Sequence, residues 1–298
     1  MNNTASKSEL WITLVIKASG YSSILFVLLI LIFLAREGLP AFGDMPLGRL
    51  FGVRWYPIEG LFGVLPLVVG SIIVTVTATL IAIPFGIGTA VYLSELAPAW
   101  IKNILKPVIE ILAGLPSVVL GFLGIQVAAP FFRQFLDLPT GLTAFTGAVL
   151  LALISIPTIV SIAEDALNTV PPSYRHGALA LGANPWQVIW GVTVPSARSG
   201  LLTAVMLGVG RTIGETMAVM MVTGNAPVLP KGLDAIFLPV RTMTATIASE
   251  MGEVATGSPH YHVLFFIGIV LFALSMVVNL VASSITLQSK KRAERLLS

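Results

Sequence analysis

Residues 207–222 read LGVGRTIGETMAVMMV, two charges in a segment that otherwise avoids water. Apolar flanks, Leu201–Leu207 and Met217–Val222, make it a membrane span with Arg211 and Glu215 inside it. A charge at the centre of such a helix costs roughly 2.5–3.5 kcal/mol, and residues that bear that cost face a bundle interior or an aqueous cavity. The segment therefore implies a polytopic all-α membrane protein with a polar path or a buried ion pair.

Composition agrees. The 298 residues are 56% hydrophobic and 10% charged, with mean hydropathy +0.93, whereas soluble domains carry about 25% charged residues. With no cysteine, disulfides, thiolate metal sites and a cysteine nucleophile are excluded. The sequence pI near 9.3 reads as positive charge on cytoplasmic loops, not as a nucleic-acid surface.

Six spans follow from the apolar runs, at about 20 residues per crossing: 18–35, 68–93, 107–132, 141–162, 201–222 and 263–287. The first is too long for a signal-peptide core and lacks a small-residue cleavage pattern, so it reads as a retained helix. Pro84 should kink the second span. In GLPSVVLG at 114–121, Gly114 and Pro116 should interrupt the third. Broken helices survive in a membrane only where protein or a water-filled cavity satisfies the freed backbone. Gly208, Gly210 and Gly214 read as small residues that let helices approach.

Orientation follows from Lys and Arg. With the N-terminus inside, Lys7, Lys17, Lys102, Lys106, Arg175, Arg198 and the KKRAER tail at 290–295 lie in the cytoplasm. Fewer lie opposite: Arg36, Arg49, Arg54, Arg133, Lys231 and Arg241. This bias predicts two cytoplasmic termini on a multi-pass chain, with the tail also suited to anionic lipid. Residues 1–298 read as one transmembrane domain with two long loops, an external one at 223–262 and an internal one at 163–199.

The internal loop carries ordered signals. Val170-Pro171-Pro172 ends the fourth helix. Ser173 is placed to cap a short helix through Leu181, with Gly182 at its left-handed end. Asn184 caps a second helix with Pro185 at its first position; Val188, Ile189 and Val192 form its apolar stripe beside Trp186 and Trp190, and Pro195 closes it. Such a helix pair either lies on the lipid surface or docks a soluble partner.

HGALALGANPWQVIWGVTVP at 176–195 resembles the EAA loop of ABC-transporter permeases, whose pattern is Glu-Ala-Ala, three residues, Gly, nine residues, Ile, one residue, Leu-Pro. Ala178, Gly182 and Pro195 match in register, with Val192 and Val194 as conservative replacements. His176 and Gly177 depart from the Glu and the first Ala. His176 thereby replaces the expected acidic contact with one open to protonation. The resemblance implies a coupling helix seated on an ATPase subunit, with His176, Gly177, Ala178, Gly182, Ala183, Asn184, Pro185, Trp186 and Pro195 in the coupling segment.

GRTIGETMAV at 210–219, TGN at 223–225 and LPSVVLG at 115–121 are similar to the PstC-type phosphate permeases, and the likeness extends over nearly the whole chain. It implies the type I ABC-importer permease fold in a cell inner membrane, bacterial or archaeal. The implied partners are a second related permease, ATP-binding subunits and an external phosphate-binding protein. No cofactor is implied in this chain, which lacks a P-loop motif.

At a spacing of four, Arg211 and Glu215 share one face of a continuous helix and are placed to pair. Two readings stay open: a salt bridge that fixes packing, or a substrate path. In the second, Arg211 contacts a dianion through its two-pronged guanidinium, Glu215 holds Arg211 between passages, and Thr212 and Ser117 line the route. Thr75, Thr77 and Thr79 read as packing hydroxyls or pore lining. His260 and His262 lack enough further ligands for a metal. Rival functions are a permease for sulfate, molybdate or phosphonate, a channel or secondary carrier with an Arg–Glu relay, and a membrane enzyme. The carrier needs no coupling loop, and the enzyme lacks a catalytic constellation.

Overall fold

The computed structural model describes residues 7–297. Its centre is a pair of long helices, α2 (Leu65–Val91) and α5 (Ala144–Asn168). On α2, Pro66, Gly70, Val74, Ala78, Ala82, Gly86 and Ala90 are buried at every fourth position. This is one helical face, and its small residues bring the backbones close, the usual source of helix association in lipid. Ile159 of α5 marks the limit of that approach. A Cβ on Gly86 would lie 2.7 Å from its Cγ2, and one on Gly208 of α8 (Arg198–Gly214) would lie 2.5 Å from its Cγ1. Three helices thus close on one isoleucine seated between two glycines. Gly210 and Gly214 have open space instead, so of these three only Gly208 serves close packing.

α1 (Lys7–Gly38) lies along α11 (Pro259–Leu297). Their contact is tight at Gly38, where a Cβ would meet Ile269 Cδ1 at 2.7 Å. Most of the rest of α1 is exposed, as a lipid-facing helix should be. Among the described residues, five helices are long and apolar enough to cross a membrane, and a sixth is obtained if a pair bent by 71° counts as one span. That pair is α7 (Pro185–Ser196) with α8.

Two of the expected spans are divided. The third separates into α3 (Ala99–Gly114) and α4 (Ser117–Phe135), because Leu115 and Pro116 are extended. The expected start at Pro107 was therefore wrong: Pro107 lies inside α3, a separate helix. The fifth separates into α8 and α9 (Met217–Val222), with Glu215 extended at φ −69°, ψ 130°. The two broken helices pack together, since a Cβ on Gly121 of α4 would come 3.0 Å from Ala218 Cα of α9. Pro84 lies inside an uninterrupted α2.

The 223–262 loop is ordered around Glu250, at the end of α10 (Met243–Glu250). Its carboxylate accepts from Trp55 Nε1 at 3.1 Å and from Arg241 Nη2, and lies 2.8 Å from His260 Nε2. Trp55 belongs to a short hairpin, β1 (Trp55–Tyr56) with β2 (Leu61–Phe62). His262 Nδ1 lies 2.7 Å from Asp44 Oδ2. The lipid reading of the 290–295 tail rests on side chains outside the described residues.

Candidate functional site

Arg211 occupies the last turn of α8, where a cation suits the negative end of the helix dipole. Its Nη1 donates to Thr158 Oγ1 of α5 at 3.0 Å, and its Nη2 donates to the carbonyl of Ala113 in α3 at 3.3 Å. The guanidinium therefore ties three helices together, using two of its five N–H donors in these bonds. Both acceptors are neutral.

Arg211 does not pair with Glu215. Beyond Gly214 the chain turns extended, so the one-face relation of a continuous helix is lost. Glu215 Oε1 instead accepts from the backbone N–H of Thr216 at 3.1 Å and of Ala218 at 3.3 Å. These amides open α9 and have no partner within their own helix; a carboxylate there is favoured by the dipole as well. Glu215 holds the break in shape.

Thr212 is buried and donates to Val209 O at 2.7 Å. With Glu215 it lines a cleft of about 10 Å³ whose other polar residues are Ser71, Thr75, Thr242 and Thr244. That is the scale of a single water molecule, too small for a tetrahedral oxyanion. Ser117 is the first residue of α4, directly after the other break. Gly114, Gly210 and Gly214 meet nothing within 4 Å of an added Cβ and are exposed, so the surface beside Arg211 is open. The structure thus brings the two helix breaks together around Arg211, but puts Thr212 and Glu215 in a separate cleft. Sequence reading missed Thr158 and the Ala113 carbonyl as partners of Arg211. Thr75, weighed as pore lining, falls in the Thr212 cleft.

The 163–199 loop forms α6 (Pro172–Ala180) and then α7. Ser173 is not the cap: α6 starts at Pro172, and Pro171 occupies the cap position without a side-chain bond. Gly182 takes φ +87°. Asn184 Oδ1 accepts from Gln187 N at 2.9 Å while Gln187 Oε1 accepts from Asn184 N at 2.8 Å, a reciprocal capping box. Pro195 does not end the helix, which continues to Ser196 through a π turn at Ile189–Thr193. Val188 and Ile189 face inward, whereas Leu181 is 91% exposed, Trp186 58% and Trp190 57%. His176, Gly177 and Pro185 are exposed too, and Ala178 and Ala183 half-buried. Such an exposed aromatic and apolar patch suits either a lipid surface or a docked partner.

The profile of the binding-protein-dependent transport system inner membrane component matches residues 82–294. The chain belongs to that family. This family segment contains both helix breaks, Arg211 and the whole α6–α7 loop. Among curated relatives, a probable ABC transporter permease, YqgH of Bacillus subtilis, is 43% identical over 83% of this chain and 81% of its own. The phosphate transport system permease PstC of Haemophilus influenzae is 33% identical over 91% of this chain and 92% of its own. Solved structures with the same fold include an inward-facing MetNI methionine ABC transporter. It is 18% identical, has TM-score 0.59, and covers 74% of this chain and 93% of its own. A bacterial alginate ABC transporter in complex with its alginate-bound periplasmic protein is 15% identical, with TM-score 0.57 over 92% and 95%. This family member is thus a multi-pass inner-membrane permease subunit, not an enzyme, and works with ATPase and substrate-binding partners.

Proposed function

We propose that this chain forms half of the translocation path of an ATP-driven phosphate importer. One observation carries the reading: Arg211 sits where two broken helices meet, beside the open surface of Gly114, Gly210 and Gly214. Its bonds to Thr158 and Ala113 are to neutral acceptors, so a dianion gains the stronger charge-assisted, two-pronged contact. That exchange is reversible, as transport requires. Ser117 lines the route at the neighbouring break, and Glu215 caps α9. The PstC relatives support phosphate as the substrate.

A second related permease covers the glycine face and completes the path. An external phosphate-binding protein delivers the anion. Of two ATP-binding subunits, one receives the α6–α7 loop through His176, Gly177, Ala178, Gly182, Ala183, Asn184, Pro185, Trp186 and Pro195, the segment that resembles an EAA loop. Both termini lie in the cytoplasm with that loop, and α1 faces membrane lipid.

The test is labelled-phosphate uptake by proteoliposomes that hold the complete transporter, with sulfate, molybdate or phosphonate as competitors. Wild type takes up phosphate, and Arg211→Gln loses at least about tenfold with the complex intact. Uptake of a different oxyanion would transfer the assignment to that anion, and full uptake by Arg211→Gln would remove Arg211 from the path.

A further inference from the structure

We infer that α3 is a rod that carries movement of the cytoplasmic loop to Arg211; the inference rests on that loop docking an ATPase. Both ends of α3 are jointed. Ala97 and Leu115 are extended and each precedes a proline, Pro98 and Pro116. Proline restrains its predecessor to extended backbone, so helix cannot run through either joint. Between them, α3 has no fully buried residue. It rests on the core through one stripe, Ile101, Leu105 and Ile109. An element so lightly packed between two joints moves as a unit more readily than α2 or α5.

Polar bonds hold its two ends to opposite machinery. At the cytoplasmic end, Lys102 Nζ donates to Ser94 O at 3.2 Å, and Ser94 Oγ donates to Asn168 Oδ1 at 2.9 Å. Midway along α3, Lys106 Nζ lies 3.3 Å from the carboxylate of Glu164 on α5, whose side chain is 9% exposed and which also accepts from Asn168 Nδ2 at 3.4 Å. Glu95, next to Ser94 and also 9% exposed at its side chain, accepts two bonds from Arg175 of α6, at 2.6 and 3.2 Å. Arg175 further donates to the carbonyls of Val170 and Leu167, both at 3.0 Å. The first helix of the loop is therefore joined to the foot of α3 by a continuous polar chain. At the other end, Ala113 O accepts from Arg211. From Lys102 to Ala113 the rod spans about 16 Å at 1.5 Å per residue. Arg175, Glu95, Glu164 and Lys106 act as positioning residues, since none contacts Arg211 directly.

The chain has no cysteine, so a spin label on Ile111→Cys, a side chain 66% exposed and off the glycine face, reports on the last turn of α3. The complete transporter, with its other subunits cysteine-free, is reconstituted in vesicles and ATP is added. The label signal should change in otherwise wild-type protein. With Arg175→Gln the change should fall at least threefold while binding-protein-stimulated ATP hydrolysis stays within twofold of wild type. The conservative Arg175→Lys, which keeps a cation able to donate to Glu95, should restore at least half of it. Lys106→Gln, altering a side chain 47% exposed, provides a variant that does not depend on the buried pair and should show the same loss. No ATP-dependent signal in the parent, or a full signal in Arg175→Gln or Lys106→Gln, overturns the rod. Failure of the α6–α7 loop to crosslink to the ATPase would instead overturn the docking on which it rests. Phosphate uptake by the same vesicles reports the substrate separately.

Discussion

Replacing Gly208 by alanine tests the central packing and its link to function together. The new Cβ would lie 2.5 Å from Ile159 Cγ1 and 2.7 Å from its Cδ1, against 3.4–4 Å for ordinary contact. Either α8 or α5 must yield by about 1 Å, and overpacking of this kind costs typically 1–3 kcal/mol. Ile159 has no easy retreat, because its other side meets Gly86 of α2. Arg211 lies three residues along the same helix, and its bond to Thr158, the neighbour of Ile159, is 3.0 Å long. A shift of about 1 Å takes that bond beyond the range of a hydrogen bond. Denaturant unfolding in detergent is the first assay, on Gly208→Ala, Ile159→Ala and the double variant. Ile159→Ala alone costs about 2–5 kcal/mol as a cavity. In the double variant the alanine occupies vacated space, so the pair should be more stable than the sum of the singles by about 1–3 kcal/mol. Additivity within about 0.5 kcal/mol, the behaviour of independent sites, would refute the wedge. Reconstituted uptake is the second assay; Gly208→Ala should lose it, and the double variant should recover part.

Other outcomes follow from single contacts. Arg211→Lys keeps the charge but cannot donate two parallel bonds, so uptake should fall by about tenfold or more in reconstituted vesicles with the complex intact. Trp186→Ala removes an exposed aromatic without disturbing buried Val188 or Ile189; co-purification with the ATPase should weaken by about 30-fold or more, the scale of an interface hot spot of about 2 kcal/mol, with the unfolding midpoint unchanged. Glu215→Ala uncaps α9 and should cost about 1 kcal/mol in denaturant unfolding, whereas Glu215→Gln, which keeps an acceptor oxygen, should cost less.

The spans were legible because twenty apolar residues in a row have few other uses, and the 114–116 break because glycine and proline announce it. The 215 break carries no proline. Arg211 and Glu215 were accordingly read on one continuous helix, and their pairing did not survive the turn at Gly214. Gly-Val-Ala-Ala-Gly-Ala at every fourth position from 70 to 90 was visible in the chain and went unread, since a hydropathy window averages over such a pattern. The partners of Arg211 were out of reach for a different reason. They lie 53 and 98 positions away, and one is a backbone carbonyl, which no residue type signals. Asn184 and Gly182 behaved as expected because caps are set by neighbours within one turn, whereas Ser173 lost its role when Pro172 began the helix first.

The placement of Arg211's acceptors also bears on how the protein enters its membrane. α8 emerges from the ribosome late, short and carrying a half-buried cation, and is a poor candidate to partition into lipid unaided. Ala113 and Thr158 both precede it in the chain, so by the time α8 arrives their oxygens are already in the bilayer to receive the guanidinium. Biogenesis then has a built-in order: α3 and α5 form the cradle before the charge is presented, and a defect in either should appear as a failure of α8 to insert.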